Sequence, residues 1–99
     1  MLHTVNKSPF DNKTFETCLK FARQGSAVLL IEDGVYAAAG NTAVSKQVQE
    51  ALQRVSIYAL KPDVEARGMQ NRVMDGVCLV DYEGFVDLVT EHNAVQSWI

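Results

Sequence analysis

Two cysteines, Cys18 and Cys78, are the residues of this sequence best suited to chemistry. They form neither a CxxC motif nor a disulfide framework, so we expect two reduced thiols in a cytosolic protein. One interpretation makes Cys18 a thiol that accepts or carries persulfide sulfur, which requires an exposed thiolate in electropositive surroundings. The other makes it a small core residue, because it shares an apolar helical face with Phe15 and Leu19. Both interpretations stay open at this point.

The other candidate residues offer less chemistry than Cys18. Cys78 lies in the apolar run Val77–Val80, which predicts a packed position in a buried strand. His3 and His92 have no further ligand at metal-binding spacing, so we predict no metal site and no cofactor. Motifs of the GxGxxG, phosphate-loop and GxSxG types are absent. The sequence therefore contains no self-contained catalytic set, and we do not expect an independent enzyme.

Two further segments have the composition of contact surfaces. Glu32-Asp33-Gly34 follows an apolar run and would lie at the carboxyl edge of a sheet, where open α/β proteins bind ligands. The same Asp-Gly pair also suits a plain tight turn. Near the end of the sequence, Val95, Trp98 and Ile99 form an apolar tail. This tail either marks an interface or folds back onto its own sheet.

Composition limits the classes of protein that this chain can belong to. Its 99 residues fit one domain over residues 1–99, and 47% hydrophobic with 21% charged residues is an ordinary globular balance. The net charge is -3 and the basic residues are scattered, so we expect no direct contact with nucleic acid. The longest apolar run, residues 27–31, is far too short for a membrane span. With no export signal visible, we expect a cytoplasmic location.

The elements that position these residues alternate between strands and helices. Apolar runs predict the strands, and apolar residues at i, i+3, i+4 and i+7 predict helices with one packed face. We predict strands at residues 2–6, 27–31, 55–60 and 77–80, with a short edge strand within 94–99. Amphipathic helices are predicted after Asp11 or Asn12, over 44–52 and after Asp81, with shorter helical segments at 35–39 and after Pro62. This order predicts a small α/β fold with a mostly parallel sheet and helices on both faces.

Several segments resemble the TusB/DsrH family, and the likeness runs in register along nearly the whole chain. The leading LHT…SP and the DG-x-x-A-A block are its most specific parts. The segments that carry the likeness are Met1–Phe10, Leu29–Ala38, Tyr58–Leu60, Asp63–Gly68, Val80–Tyr82, Phe85-Val86 and Gln96–Trp98.

The resemblance implies a fold like those of DsrE, DsrF and DsrH and a role as one subunit of a cytoplasmic heterohexamer. Such complexes move sulfur as cysteine persulfide, and the implied partners are DsrE/TusD-like and DsrF/TusC-like subunits. A DsrC/TusE-like carrier then exchanges sulfur with the whole complex. In this family the principal acceptor cysteine lies on the TusD or DsrE type of subunit, which agrees with the missing catalytic set here.

The family has two branches, and the resemblance favours one of them. DsrH-type subunits carry a cysteine at the helix position of Cys18, within a stretch similar to Glu16–Ala22. The segments around Asn6-Lys7 and Gly84–Leu88 also resemble the DsrH type. The sequence therefore favours the DsrEFH complex of dissimilatory sulfur oxidation. The alternative is a TusB-type subunit of the relay that 2-thiolates the wobble uridine of tRNA.

Overall fold

The computed structural model describes residues 1–99, and it contains five strands, four α-helices and one 3-10 helix. The strands are β1 (Leu2–Val5), β2 (Ala27–Leu30), β3 (Ser56–Leu60), β4 (Cys78–Val80) and β5 (Val95–Trp98). The helices are α1 (Thr14–Phe21), α2 (Ser45–Ala51), α3 (Lys61–Ala66) and α4 (Tyr82–Glu91), and the 3-10 helix spans Glu32–Ala38. No helix is both long enough and apolar enough to cross a bilayer.

The five strands form one sheet in the order β4-β3-β2-β1-β5, and every pairing in it is parallel. The register sets Leu2 of β1 opposite Ala27 of β2 on one side and Val95 of β5 on the other. The chain steps from β1 to β4 in one direction and then returns across the sheet to β5. This arrangement confirms the predicted parallel sheet, including the short edge strand at the end of the chain.

The two faces of the sheet are packed very unequally. Alternation along β1 to β3 sends Val5, Val28 and Ile57 into a cluster of twenty buried residues, to which α1, α2 and the 3-10 helix also contribute. The opposite face has a buried cluster of only four residues, in which Leu88 of α4 packs with β1 and β2. Helices therefore lie on both faces, but α4 is the only helix with a residue in the smaller buried cluster.

Local signals explain several helix ends. Asp81 precedes α4, and its Oδ1 accepts the Gly84 N–H at 2.8 Å, so Asp81 caps the helix that was predicted to follow it. Asn12 Oδ1 accepts the Thr14 N–H at 2.7 Å at the start of α1. The C-terminal end of α1 is held by a residue that is distant in sequence: Arg54 donates to the carbonyls of Ala22 at 2.6 Å and Leu19 at 2.5 Å. This last contact satisfies carbonyls that a helix C-terminus leaves free.

The prediction of a buried strand at residues 77–80 is wrong. Strand β4 is the outer strand beside β3, and Cys78 and Leu79 are exposed there. An apolar run of four residues suits a central strand, but it does not encode how many neighbours the strand has. The position of β4 follows from the direction in which the chain winds, which no local pattern reveals.

Candidate functional site

Cys18 lies on the packed face of α1, and its side chain is 0% exposed. Burial raises the pKa of this thiol from an ordinary value of 9.0 to about 12, although the nearby Arg54 acts in the opposite direction. At neutral pH the thiol is therefore protonated and shielded from solvent. The structure places Cys18 in the core cluster, as the apolar stripe predicted.

This burial bears on the hypothesis that Cys18 carries sulfur. Transfer begins when a thiolate attacks the outer sulfur of a donor persulfide, so its rate depends on thiolate fraction and on access. In this structure the Cys18 thiol is protonated and buried, so it supplies no thiolate and the donor persulfide cannot reach it. Its role as a sulfur carrier stays a prediction, and that role requires α1 to open away from the sheet.

Cys78 is exposed, in contrast to its predicted packed position. It pairs in register with Tyr58, whose side chain packs against the smaller cluster of the sheet. Cys18 belongs to the larger cluster on the opposite face. The sheet therefore separates the two thiols, and sulfur cannot pass directly from one to the other within the folded chain.

The carboxylates after β2 and in α3 bind groups within the chain. Arg67 reaches Asp33 Oδ1 with its Nε at 2.9 Å and a terminal nitrogen at 2.8 Å. Asp63 Oδ2 accepts the Glu32 N–H at 2.6 Å, and Glu32 itself has a φ of +50°. These contacts tie the start of the 3-10 helix to α3. They favour the structural interpretation of Glu32-Asp33-Gly34 over a free ligand surface.

For Trp98, the structure supports the interpretation in which the tail folds back onto its own sheet. Trp98 folds back, and its Nε1–H donates to His3 Nδ1 at 3.0 Å on the adjacent strand. Its ring also lies 5.9 Å from that of Phe21. Val95 and Ile99 remain exposed. Sequence reasoning missed the His3–Trp98 pair, because only the β1–β5 pairing brings together residues 95 positions apart.

A cavity of about 580 Å³ lies beside this pair, between the end of α1 and β5. Phe21 and Trp98 form its aromatic walls, and His3, Arg23 and Gln96 contribute polar groups. The cavity contains no carboxylate and neither of the thiols. Ser26 and His3 both line it, but no hydrogen bond joins these two side chains, and His3 Nδ1 already accepts from Trp98. Nor does the chain hold any group of three or more His, Cys, Asp or Glu side chains that could bind a metal ion.

Acidification is expected to loosen Trp98. Burial lowers the pKa of His3 below its ordinary value of 6.5, and the amino group of Met1 acts in the same direction. The His3 ring therefore binds a proton more readily in the unfolded state than in the folded state. For this reason the contribution of neutral His3 to stability is present above pH 6.5 and is lost as pH falls through the folded-state pKa. A protonated Nδ1 also cannot accept from Trp98. Fluorescence of this single tryptophan should change reversibly as pH falls below the ordinary histidine value of 6.5.

The control for this titration is His3→Gln, which lacks the ionisable ring. Its tryptophan emission should be flat over the pH range in which the wild-type signal changes. An unchanged titration in this variant would show that another group controls the Trp98 environment.

Comparison with known proteins gives consistent family matches. The model of the family described as "DsrH like protein" matches residues 7–95. Protein TusB of Pectobacterium parmentieri is 39% identical over 99 residues, which cover 99% of this chain and 100% of the relative. Protein TusB of Escherichia coli (strain K12 / DH10B) is 33% identical over 98 residues, with 99% and 100% coverage.

Solved structures support the fold. The ychN protein from E. coli superposes with a TM-score of 0.78 at 18% identity and covers 97% of each chain. The solution structure of Tm0979 from Thermotoga maritima gives a TM-score of 0.65 at 24% identity and covers 93% of this chain and 94% of that chain. At these identities the likeness concerns the fold alone.

Proposed function

The chain belongs to the TusB/DsrH family, and on that basis we propose that it is a TusB-type subunit of a heteromeric sulfur-relay complex. The observation that carries this proposal is the match to proteins named TusB at 33–39% identity over essentially their full length. The end product of the proposed relay is the 2-thiolated wobble uridine of tRNA. The proposed partners are TusD-like and TusC-like subunits and, through the complex, a TusE-like carrier.

The structure supports a role by association rather than by chemistry of its own. In a persulfide relay, an acceptor thiolate attacks the outer sulfur of the donor persulfide, the S–S bond breaks, and the donor leaves as a thiolate. The number of thiols and persulfides is unchanged by each step. Cys18 is buried and protonated, and the cavity beside Trp98 contains no thiol. We propose that the reactive cysteine belongs to a partner subunit and that this chain helps to cover and position it.

The relatives favour the thiolation branch over the sulfur-oxidation branch. The sequence preference for the DsrH type depended on Cys18 and on short segments such as Glu16–Ala22. The relatives named TusB instead match over the whole chain. Two observations keep the DsrH type as the second candidate, namely the description of the matching family and the cysteine at position 18.

The remaining expectations follow as part of the same proposal. We propose one domain over residues 1–99 that acts in the cytoplasm. With a net charge of -3, the chain itself has little attraction for the tRNA phosphates, so contact with tRNA would fall to other proteins of the relay.

Two measurements test the function. Co-expression with the homologous TusC-like and TusD-like subunits should give one stable complex by size-exclusion chromatography with light scattering. In a strain that lacks its own TusB, the gene should restore 2-thiouridine in tRNA, measured by mass spectrometry of digested nucleosides. A stable complex that restores no 2-thiouridine but exchanges sulfur with a DsrC-like carrier would instead assign the chain to the oxidation branch. A chain that stays monomeric beside both subunits would contradict the proposal.

A further inference from the structure

Helix α4 exposes three large apolar side chains to solvent. Tyr82, Val86 and Val89 lie at i, i+4 and i+7, which places them on one face of the helix. They are 61%, 63% and 40% exposed, whereas Leu88 on another face is buried against the sheet. Leaving this stripe in water is unfavourable for the isolated chain, and a contiguous exposed apolar patch is typical of an interaction site.

Charge is segregated onto the same part of the chain. Residues 73–99 contain five carboxylates and neither Lys nor Arg, whereas residues 1–72 contain nine basic and seven acidic side chains. Three of those five carboxylates, Glu83, Asp87 and Glu91, lie on α4 and are exposed. The only ion pairs of the chain are Lys20–Glu16 and Arg67–Asp33. The acidic side chains of α4 therefore have no cationic partner within the molecule.

The apolar and acidic groups meet in one surface depression. It is about 390 Å³ in volume, and Tyr82, Glu83, Val86 and Asp87 line it. One side of this depression offers a phenol ring and a valine, and the other offers two carboxylates. An aliphatic side chain that ends in a positive charge would satisfy both sides at once, as lysine and arginine do when their stems lie on apolar surface.

We propose that α4 is the docking surface for a partner protein that presents an apolar centre flanked by lysine or arginine. The charge of α4 argues against a second copy of this chain as the occupant, because two acidic helices would repel each other when paired face to face. The inference deepens the proposed function, since it states which surface of this subunit meets its neighbour in the relay complex and which chemistry the neighbour needs.

The experiment uses the full chain co-expressed with the homologous TusC-like and TusD-like subunits. Two variants change α4, Val86→Ser in the apolar stripe and the double variant Glu83→Gln/Asp87→Lys in the acidic row. The matched charge control is Glu50→Lys/Glu65→Gln, which makes the same change at exposed positions of α2 and α3. The matched apolar control is Phe10→Ser, since Phe10 is 50% exposed and lies outside α4.

The α4 variants should bind the other subunits about tenfold or more weakly, while the controls should stay within about threefold of wild type. Wild-type affinity should fall as salt rises, and the acidic-row variant should lose part of that dependence. Hydrogen exchange at residues 82–91 should slow on assembly, and thermal unfolding of each isolated variant shows that its fold is intact.

Four outcomes would overturn the inference. Assembly of the α4 variants with wild-type affinity would do so while leaving the proposed function intact. An equal loss in the α4 variants and the matched controls would attribute the effect to overall charge or apolarity. Self-association of the isolated wild type that Val86→Ser abolishes would make a second copy the occupant. A wild type that does not assemble at all would contradict both the proposed function and the docking surface.

Discussion

Replacing Gly34 with alanine is expected to lower the free energy of unfolding by about 3 kcal/mol or more. A Cβ at this position would lie 2.1 Å from the carbonyl oxygen of Val5 and 2.9 Å from its carbon. Both are backbone atoms, so no side-chain rotation relieves the overlap. The same Val5 oxygen accepts the Ile31 N–H at 3.0 Å, where β1 and β2 end together. The methyl group must therefore push the start of the 3-10 helix away from the end of β1.

Urea denaturation followed by circular dichroism measures this loss. Gly40→Ala is the matched control, because the nearest atoms to its added Cβ would be 3.9 Å away and its φ is not positive. This control should change the free energy of unfolding by less than about 0.5 kcal/mol. Equal stability of the two variants would show that β1 and the 3-10 helix do not approach as closely as described.

Gly34 also shows where sequence reasoning stops. The dipeptide Asp33-Gly34 predicted a turn after an apolar strand, and the chain does leave the sheet there through a 3-10 helix. The reason for the glycine lies elsewhere, since its missing side chain makes room for the end of β1. The five strands could be predicted from local apolar patterns, because hydrophobic periodicity is a local signal. A close approach between segments 29 residues apart leaves no such signal.

The candidate site shows the same division between local and distant information. The stripe through Phe15, Cys18 and Leu19 supported the core interpretation of Cys18, one of the two left open, and the thiol is indeed buried, since one helical face is encoded locally. The run around Cys78 predicted the wrong environment, because the edge position of β4 depends on strand order. The contact between His3 and Trp98 depends on the last strand pairing next to the first one. Neither the exposure of Cys78 nor the contact between His3 and Trp98 can be predicted from the spacing of residues in the sequence.

Cys18 is expected to resist alkylation by a very large factor relative to an ordinary thiol. A pKa of about 12 instead of 9.0 lowers the thiolate fraction at pH 8 about a thousandfold, before burial adds a further barrier. Exposed Cys78 provides the reference on the same chain. With iodoacetamide at pH 8, peptide mass spectrometry should find Cys78 labelled and Cys18 unlabelled. In 8 M urea both cysteines should react at similar rates.

The same shift predicts how stability depends on alkaline pH. Because the folded-state pKa of Cys18 is raised, the unfolded chain loses the thiol proton first as pH increases. Stability conferred by the protonated thiol is therefore complete below pH 9 and declines towards pH 12, by about 1.4 kcal/mol per pH unit. The variant Cys18→Ala lacks this titration, so the difference in unfolding free energy between it and the wild type should shrink over that interval. A constant difference would contradict the raised pKa.

Reaction with a persulfide donor is expected to add sulfur to Cys78 and not to Cys18. After incubation with a persulfide donor, any adduct of roughly 32 Da, the mass of one sulfur, should disappear in Cys78→Ser and persist in Cys18→Ser. This follows because only the exposed thiol can reach the outer sulfur of the donor without opening the core. The reverse pattern would mean that α1 opens during transfer and exposes Cys18 to the incoming persulfide. A relay subunit that worked in that way would carry sulfur itself, and its buried cysteine would be a gated acceptor rather than part of the packing.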